Sequence, residues 1–230
     1  MSYLTPIAIC ALFLLICAFL AFMIIRISDA ITKRSLRASP VLDADAAAAL
    51  LSLCFGEKRL YLSRYYPART RLGTVYKKIP FLLIFGRKIF VIHVCNVSGI
   101  IHNSDDEIWT ATQTPEPNKK RTIRFRNPIR IAEEQADILR ELLEKAGLSV
   151  SVEPLAVLTA KKHRLEDTEQ KGIGILPAAI QHIRAFLPKN KEIADRMEAD
   201  RIRVLHVLRR YSVSQRTAIL KNNALRQKKK

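Results

Sequence analysis

Twenty consecutive residues without a charge, Pro6 to Ile25 (PIAICALFLLICAFLAFMII), constrain this chain more than any other feature. At about 1.5 Å of rise per residue, a helix of that length crosses the ~30 Å hydrocarbon core of a bilayer. A soluble core helix rarely needs such a run. The competing reading is a cleaved signal peptide, which requires a basic segment ahead of the apolar one. The preceding MSYLTP carries no Lys or Arg, whereas Arg26, Lys33, Arg34 and Arg37 follow the run. Residues 1–27 are therefore expected to be a transmembrane anchor and residues 28–40 a basic juxtamembrane linker. Cations just past a span favour the cytoplasm. The expectation is a single-pass protein of the cell membrane, with a short N-terminus outside and the C-terminal body cytoplasmic.

Beyond the anchor about two hundred residues remain, enough for one domain of roughly 100 to 150 residues with an extension. The formal charge is +18, so the body is expected to seek a polyanion, either nucleic acid or the anionic lipid beside its anchor. Cys10 and Cys17 lie in the apolar run, while Cys54 and Cys95 sit in apolar stretches without CxxC spacing. That pattern argues against a disulfide framework and a zinc ribbon. Cys10 and Cys17 share a helix face, as small apolar filler or as a dimer seam.

After Ser39-Pro40, the Ala- and Leu-rich stretch VLDADAAAALLSLCFGEKRLYLSRYY predicts one helix over about 41–65, with an interruption at Gly56. Asp43 and Asp45 suit its positive end. Short β-rich runs follow: RLGTVYKKI, FLLIF and KIFVIHVCNV, the last two joined by Gly86-Arg87-Lys88 as in an antiparallel hairpin. Alternation puts Phe90, Ile92, Val94 and Asn96 on one face of the third run and Ile89, Val91, His93, Cys95 and Val97 on the other. A strand is expected at 121–126. A helix then runs from Pro128 to about Ala146, with proline in its first turn and Gly147 at its end. SVSVEPLAVLTA reads as a buried strand, and from Gly172 the pattern turns helical, over 176–187 and from Lys191 to Arg210. Helix, strands, helix and strand in this order imply an α/β or α+β layer, a mixed sheet flanked by helices.

The order of several pieces resembles the nuclease-related domain, or NERD, family. They are Gly56-Glu57 in the first helix, the hairpin ending IFVIHVCNVSG, Trp109 about ten residues on, Phe125-Arg126-Asn127-Pro128 opening the next helix, and the PLAVLT strand. The resemblance covers about residues 45–160 and implies a restriction-endonuclease-like fold in a domain at 41–172, followed by a helical basic extension at 173–230. It also implies a catalytic hairpin with an Asp on its first strand and a Glu-x-Lys on its second, the carboxylates holding a divalent cation through hard oxygen ligands. This chain places Pro80, His93 and Cys95 at those three positions, and Ile131 where the family carries a Gln after Asn-Pro. Asn96 and Ser98-Gly99 remain, and Glu57 is the surviving member of the acidic set. A lone carboxylate beside a proline, an imidazole and a thiol makes a poor magnesium site. No catalytic residue is therefore assigned among Glu57, Pro80, His93, Cys95 and Ile131, and no resident metal or small-molecule cofactor is expected.

His93 and Cys95 could bind zinc with His102, but structural zinc takes four ligands. As strand neighbours they project in parallel, not toward each other as a nucleophile and base must. Asp105, Asp106 and Glu107 read as a solvated turn, and Trp109 as a packing aromatic rather than a base-stacking platform. The last thirty residues hold ten cations and no acid. Lys189, Arg196, Arg203 and Arg210 recur every seven residues as a basic stripe beside an apolar one of Ile193, Met197, Val204 and Leu208. Such a helix can pack on its domain, lie on anionic lipid, or grip phosphates. The leading expectation is a membrane-anchored, catalytically inactive domain binding a polyanion or a protein partner at the cytoplasmic face. The alternative is a nuclease using Glu57 with Mg²⁺ or Mn²⁺, and a third reading is a structural or regulatory subunit that pairs through its transmembrane helix or tail.

Overall fold

The computed structural model describes residues 44–227 apart from 72, 105, 117–118, 161–162 and 167–171. The expected anchor at Pro6–Ile25, with Cys10 and Cys17, lies outside the described residues. Among the described residues no helix is long and apolar enough to cross a membrane.

The first helix, α1, spans Ala44–Phe55 and stops at Gly56, whose φ of +83° is open to glycine and strained for other residues. The expectation of one helix to residue 65 is corrected here. A single 3-10 turn, Glu57–Arg59, leads into an eleven-residue strand, β1, Leu60–Thr70. The Tyr-rich LYLSRYY run is β-prone, and pairing with the next strand outweighs the helical bias of the preceding Ala-rich stretch. RLGTVYKKI and FLLIF are likewise not two strands but parts of one, β2, Gly73–Phe85. The hairpin turn falls at Gly86-Arg87 as expected and β3 covers Lys88–Cys95.

Next come β4 (Gly99–His102), β5 (Ile108–Glu116), β6 (Lys119–Arg126), α2 (Pro128–Lys145), β7 (Ser151–Leu158), β8 (His163–Leu165) and β9 (Ile173–Ile175). Helices α3 (Leu176–Arg184), α4 (Lys191–Tyr211) and α5 (Gln215–Gln227) complete the order. Two sheets result, a mixed one ordered β1-β2-β3-β7-β9 and a four-stranded one ordered β6-β5-β4-β8. The first joins an antiparallel meander to two parallel strands, because α2 carries the chain from the second sheet back to lay β7 parallel to β3. The expected mixed sheet flanked by helices is present.

Strand alternation explains the layering. Leu82, Ile84, Ile89 and Val91 enter one core with Ala136, Leu139 and Leu143 of α2 and Val204, Leu205 and Leu208 of α4. On the opposite face Phe85 meets Phe55 of α1, with ring centroids 5.7 Å apart, and Phe90 meets Phe186 just after α3, at 5.2 Å. With both faces covered, β2 and β3 read as continuous apolar runs. The second sheet buries Trp109, Ala111 and Ile101. Trp109 packs edge-on to Phe125 and donates its indole N–H to the Ser104 carbonyl at 2.7 Å, which makes it a core residue. Gly99 holds φ +103°, and a Cβ built on it would lie 2.3 Å from the Thr112 carbonyl oxygen, so the Ser98-Gly99 step admits no side chain.

Candidate functional site

The site implied by the sequence lies where β2 and β3 part. Their pairing ends at Phe81↔Ile92, and one step further Pro80 would oppose His93. Proline has no N–H to give, so the ladder stops there. β3 continues along β7 instead, with His93 beside Ala156 and Cys95 beside Leu158. On its other side β2 pairs with β1 at Leu62↔Phe81 and Arg64↔Ile79, skipping Ser63 and Pro80. Ser63 takes φ +40°, the one left-handed non-glycine residue described. The ribbon reverses its facing at this step. Leu82 and Tyr61 face α2 and α4 on one side of it, and Ile79 and Tyr66 on the other, so side chains of opposite parity enter the same core.

Beyond Pro80 the edge of β2 facing away from β1 has no strand partner among the described residues, and two side-chain amides take that place. Gln135 of α2 donates Nε2–H to the Lys78 carbonyl at 3.2 Å. Asn222 of α5 accepts from the Tyr76 N–H at 2.8 Å and donates to its carbonyl at 3.0 Å. Gln135 is buried and one helical turn past the half-buried Ile131, hence on the same helix face. The sequence reading stopped at Ile131 and missed it. The i+4 spacing was the signal that could have found it.

His93 and Cys95 are held as neutral groups. Burial, with the Arg126 guanidinium adding its charge, lowers the imidazole to about 4. Burial also raises the Cys95 thiol to about 11, against a smaller opposing effect of a backbone hydrogen bond from Val97. The His93 Nδ1, the Gln135 Oε1 and the hydroxyls of Tyr66 and Thr159 are buried without a partner among the described residues. Burial also pushes the Tyr66 phenol upward.

Glu57 stands apart from this cluster. It is exposed on the 3-10 turn just before Leu60, which pairs with Leu83 near the closed end of the hairpin. His93 lies five residues past Lys88, roughly 16 Å along the strand. The Lys58 carbonyl of the same turn accepts from Arg201 of α4 at 2.7 Å, which fixes it at that end. His102, considered above as a zinc ligand, is on β4 and bonded to Glu166 at 2.7 Å and Thr112 at 3.1 Å. No group of three or more His, Cys, Asp or Glu is placed to hold a metal among the described residues. A proline, a neutral imidazole and a neutral thiol do not fit the oxygen ligation that Mg²⁺ or Mn²⁺ requires.

The basic stripe is only partly free. Arg196 pairs with Glu192 at 3.5 Å and Arg203 with Asp200 at 3.9 Å, while Lys189 and Arg210 are exposed with no ion pair among the described residues. Of the apolar stripe, Val204 and Leu208 are buried and Ile193 is 43% exposed, so the α4 core face narrows toward its start. Arg201, outside the predicted stripe, is buried on Glu198 and the Lys58 carbonyl.

At the N-terminus of α2, the Asn127 Oδ1 accepts from the N–H groups of Ile129 at 2.9 Å and Arg130 at 3.3 Å. Its Nδ2 donates to the Asp106 carbonyl at 3.0 Å. Asn-Pro thus caps the helix and ties it to the turn before β5. The described acids of that turn, Asp106 and Glu107, are exposed as expected.

The comparison with curated proteins found no match, and neither did that with solved structures. The model of the nuclease-related domain matches residues 39–159, from just before α1 to the end of β7. That stretch holds the β2–β3 hairpin, the Asn-Pro cap and the parallel β7 strand on which the resemblance rested. With more than half of its length matched, the chain belongs to the nuclease-related domain (NERD) family.

Proposed function

We propose that this member of the family is a catalytically inactive nuclease-related domain that binds a polyanion, and that the apolar run at Pro6–Ile25 anchors it in the cell membrane with its body in the cytoplasm. The observation that carries the reading is the chemistry at the open end of the β2–β3 hairpin. Pro80, a neutral His93 and a neutral Cys95 stand where the family's metal-binding and phosphate-orienting groups are implied. Glu57 lies at the other end of the hairpin and belongs to no cluster of potential metal ligands among the described residues. The +18 charge supports polyanion binding, nucleic acid or anionic lipid, with Lys189, Arg196, Arg203 and Arg210 as candidates. The uncharged run and the cations behind it support the anchor and its orientation.

The test is incubation of the full-length chain, in non-ionic detergent, with supercoiled plasmid and Mg²⁺ or Mn²⁺. Intact plasmid is expected under every metal. Nicking by the parent that disappears with Glu57→Ala would replace this reading with the alternative, a divalent-metal nuclease built on Glu57.

A further inference from the structure

A cleft of about 590 Å³ lies between the outer edge of β1 and the C-terminal turn of α4. Leu60, Tyr61, Leu62, Arg64, Arg209 and Ser212 line it. Its size suits a nucleotide or two rather than a duplex. Among the described residues the sheet ends at β1, and apart from the Tyr65 bridge no further strand pairs with its edge along the cleft. At one end the space closes where Tyr65 bridges to Val213, the Val213 N–H donating to the Tyr65 carbonyl at 2.9 Å.

Two arginines and no carboxylate face this space. Elsewhere Arg69, Lys77, Arg87, Arg126, Arg196 and Arg203 each have an acidic partner that would compete with an anion. Arg64 is exposed and its side chain makes no hydrogen bond or ion pair among the described residues. Arg209 is held from one side only. Its Nε donates to the Tyr61 hydroxyl at 2.9 Å and its guanidinium lies 6.0 Å from the Tyr61 ring centre, leaving both terminal nitrogens without a partner among the described residues. A planar donor fork oriented through its Nε by a tyrosine hydroxyl is pre-organised for phosphate. The negative end of α4 would repel an anion, and Arg209 and Arg210 in its last turn offset that. Leu62, 49% exposed, adds an apolar surface beside the charges.

Arginines without acidic partners, a tyrosine edge and an apolar lip along one open groove match how single strands are held, by charge along the backbone and apolar contacts to bases. We propose that this cleft binds single-stranded nucleic acid, Arg64 and Arg209 holding its phosphates while Leu62 and the edge of Tyr61 take a neighbouring base or sugar. The inference rests on the polyanion reading above and moves the principal contact from the Lys189–Arg210 stripe to the β1 edge.

The experiment is fluorescence anisotropy of a labelled fifteen-nucleotide oligo-dT with the full-length chain in non-ionic detergent, over a series of KCl concentrations. Arg64→Glu removes no side-chain hydrogen bond or ion pair among the described residues, and circular dichroism verifies that it stays folded. The expected result is roughly tenfold weaker binding, with the slope of log K against log salt reduced by about one. An equal charge change in the second sheet, Arg164→Glu, is expected to alter affinity less than twofold. Parent-like binding by Arg64→Glu would overturn the cleft and leave the polyanion reading standing. A parent that binds anionic phosphatidylserine vesicles but not the oligonucleotide would overturn the nucleic-acid assignment. A parent that binds neither would overturn both readings.

Discussion

At the scale of single residues, His93 shows what burial does to an inherited site. Its neutral imidazole is largely withdrawn from water with Nδ1 unpartnered among the described residues, and its pKa of about 4 lies well below the ordinary 6.5. The unfolded chain therefore takes up a proton between pH 6.5 and 4 that the folded chain refuses, and folding stability falls as pH drops through that window. From pH 7 to pH 5 the loss from this residue is about 2 kcal/mol. His93→Leu is expected to be at least as stable as the parent at pH 7 and to lose about 2 kcal/mol less on going to pH 5. Urea unfolding at the two pH values measures this. Equal losses in parent and variant would mean that His93 is not held neutral.

At the scale of elements, the start of α2 concentrates much of the local order in one side chain. Asn127 satisfies two helix N–H groups and donates to the turn before β5, while its own N–H donates to the Glu107 carbonyl at 2.8 Å. Asn127→Ala removes the cap, worth about 1 kcal/mol, and the part-buried hydrogen bond to the Asp106 carbonyl, worth about as much again. The expected cost is about 2 kcal/mol in a denaturant titration, and a change below about 0.5 kcal/mol would show that the cap is dispensable. The β2–β3 hairpin follows the same logic. Gly86 turns the chain at φ +59°, and a Cβ there would come within 3.2 Å of the Met197 Cα, so a side chain would be strained and would press on α4.

At the scale of the molecule, the C-terminal extension is part of the core although the family match ends at residue 159. Val204, Leu205 and Leu208 fill the same cluster as Ile89, Val91 and Leu139, and β9 closes the edge of the main sheet beside β7. Leu208→Ala is expected to cost about 3 kcal/mol, as for other fully buried leucines. The chain's single tryptophan, Trp109, is buried in the other sheet and reports whether the loss is shared. A common transition by circular dichroism and by Trp109 fluorescence, shifted together in the variant, is the expected result. A Trp109 transition left unmoved would make the extension a separately folding unit.

What the sequence by itself determined is what depends on local chemistry. The Gly86-Arg87 turn, the Pro128 helix, the alternation in β3 and the buried β7 strand were legible because each rests on neighbours within a few residues. The family resemblance was legible for the same reason, as an ordered set of such pieces. Only the tertiary structure decided the rest. Leu60–Thr70 became a strand because β2 pairs with it, against the pull of the Ala-rich helix before it. Glu57 was carried to the closed end of the hairpin, and Gln135 and Asn222 were brought to an edge of β2 that Pro80 leaves open. Arg64 and Arg209, 145 positions apart in the chain, meet across one cleft. These outcomes depend on long-range pairing and on which backbone groups lack partners after folding, and no local window of sequence contains either.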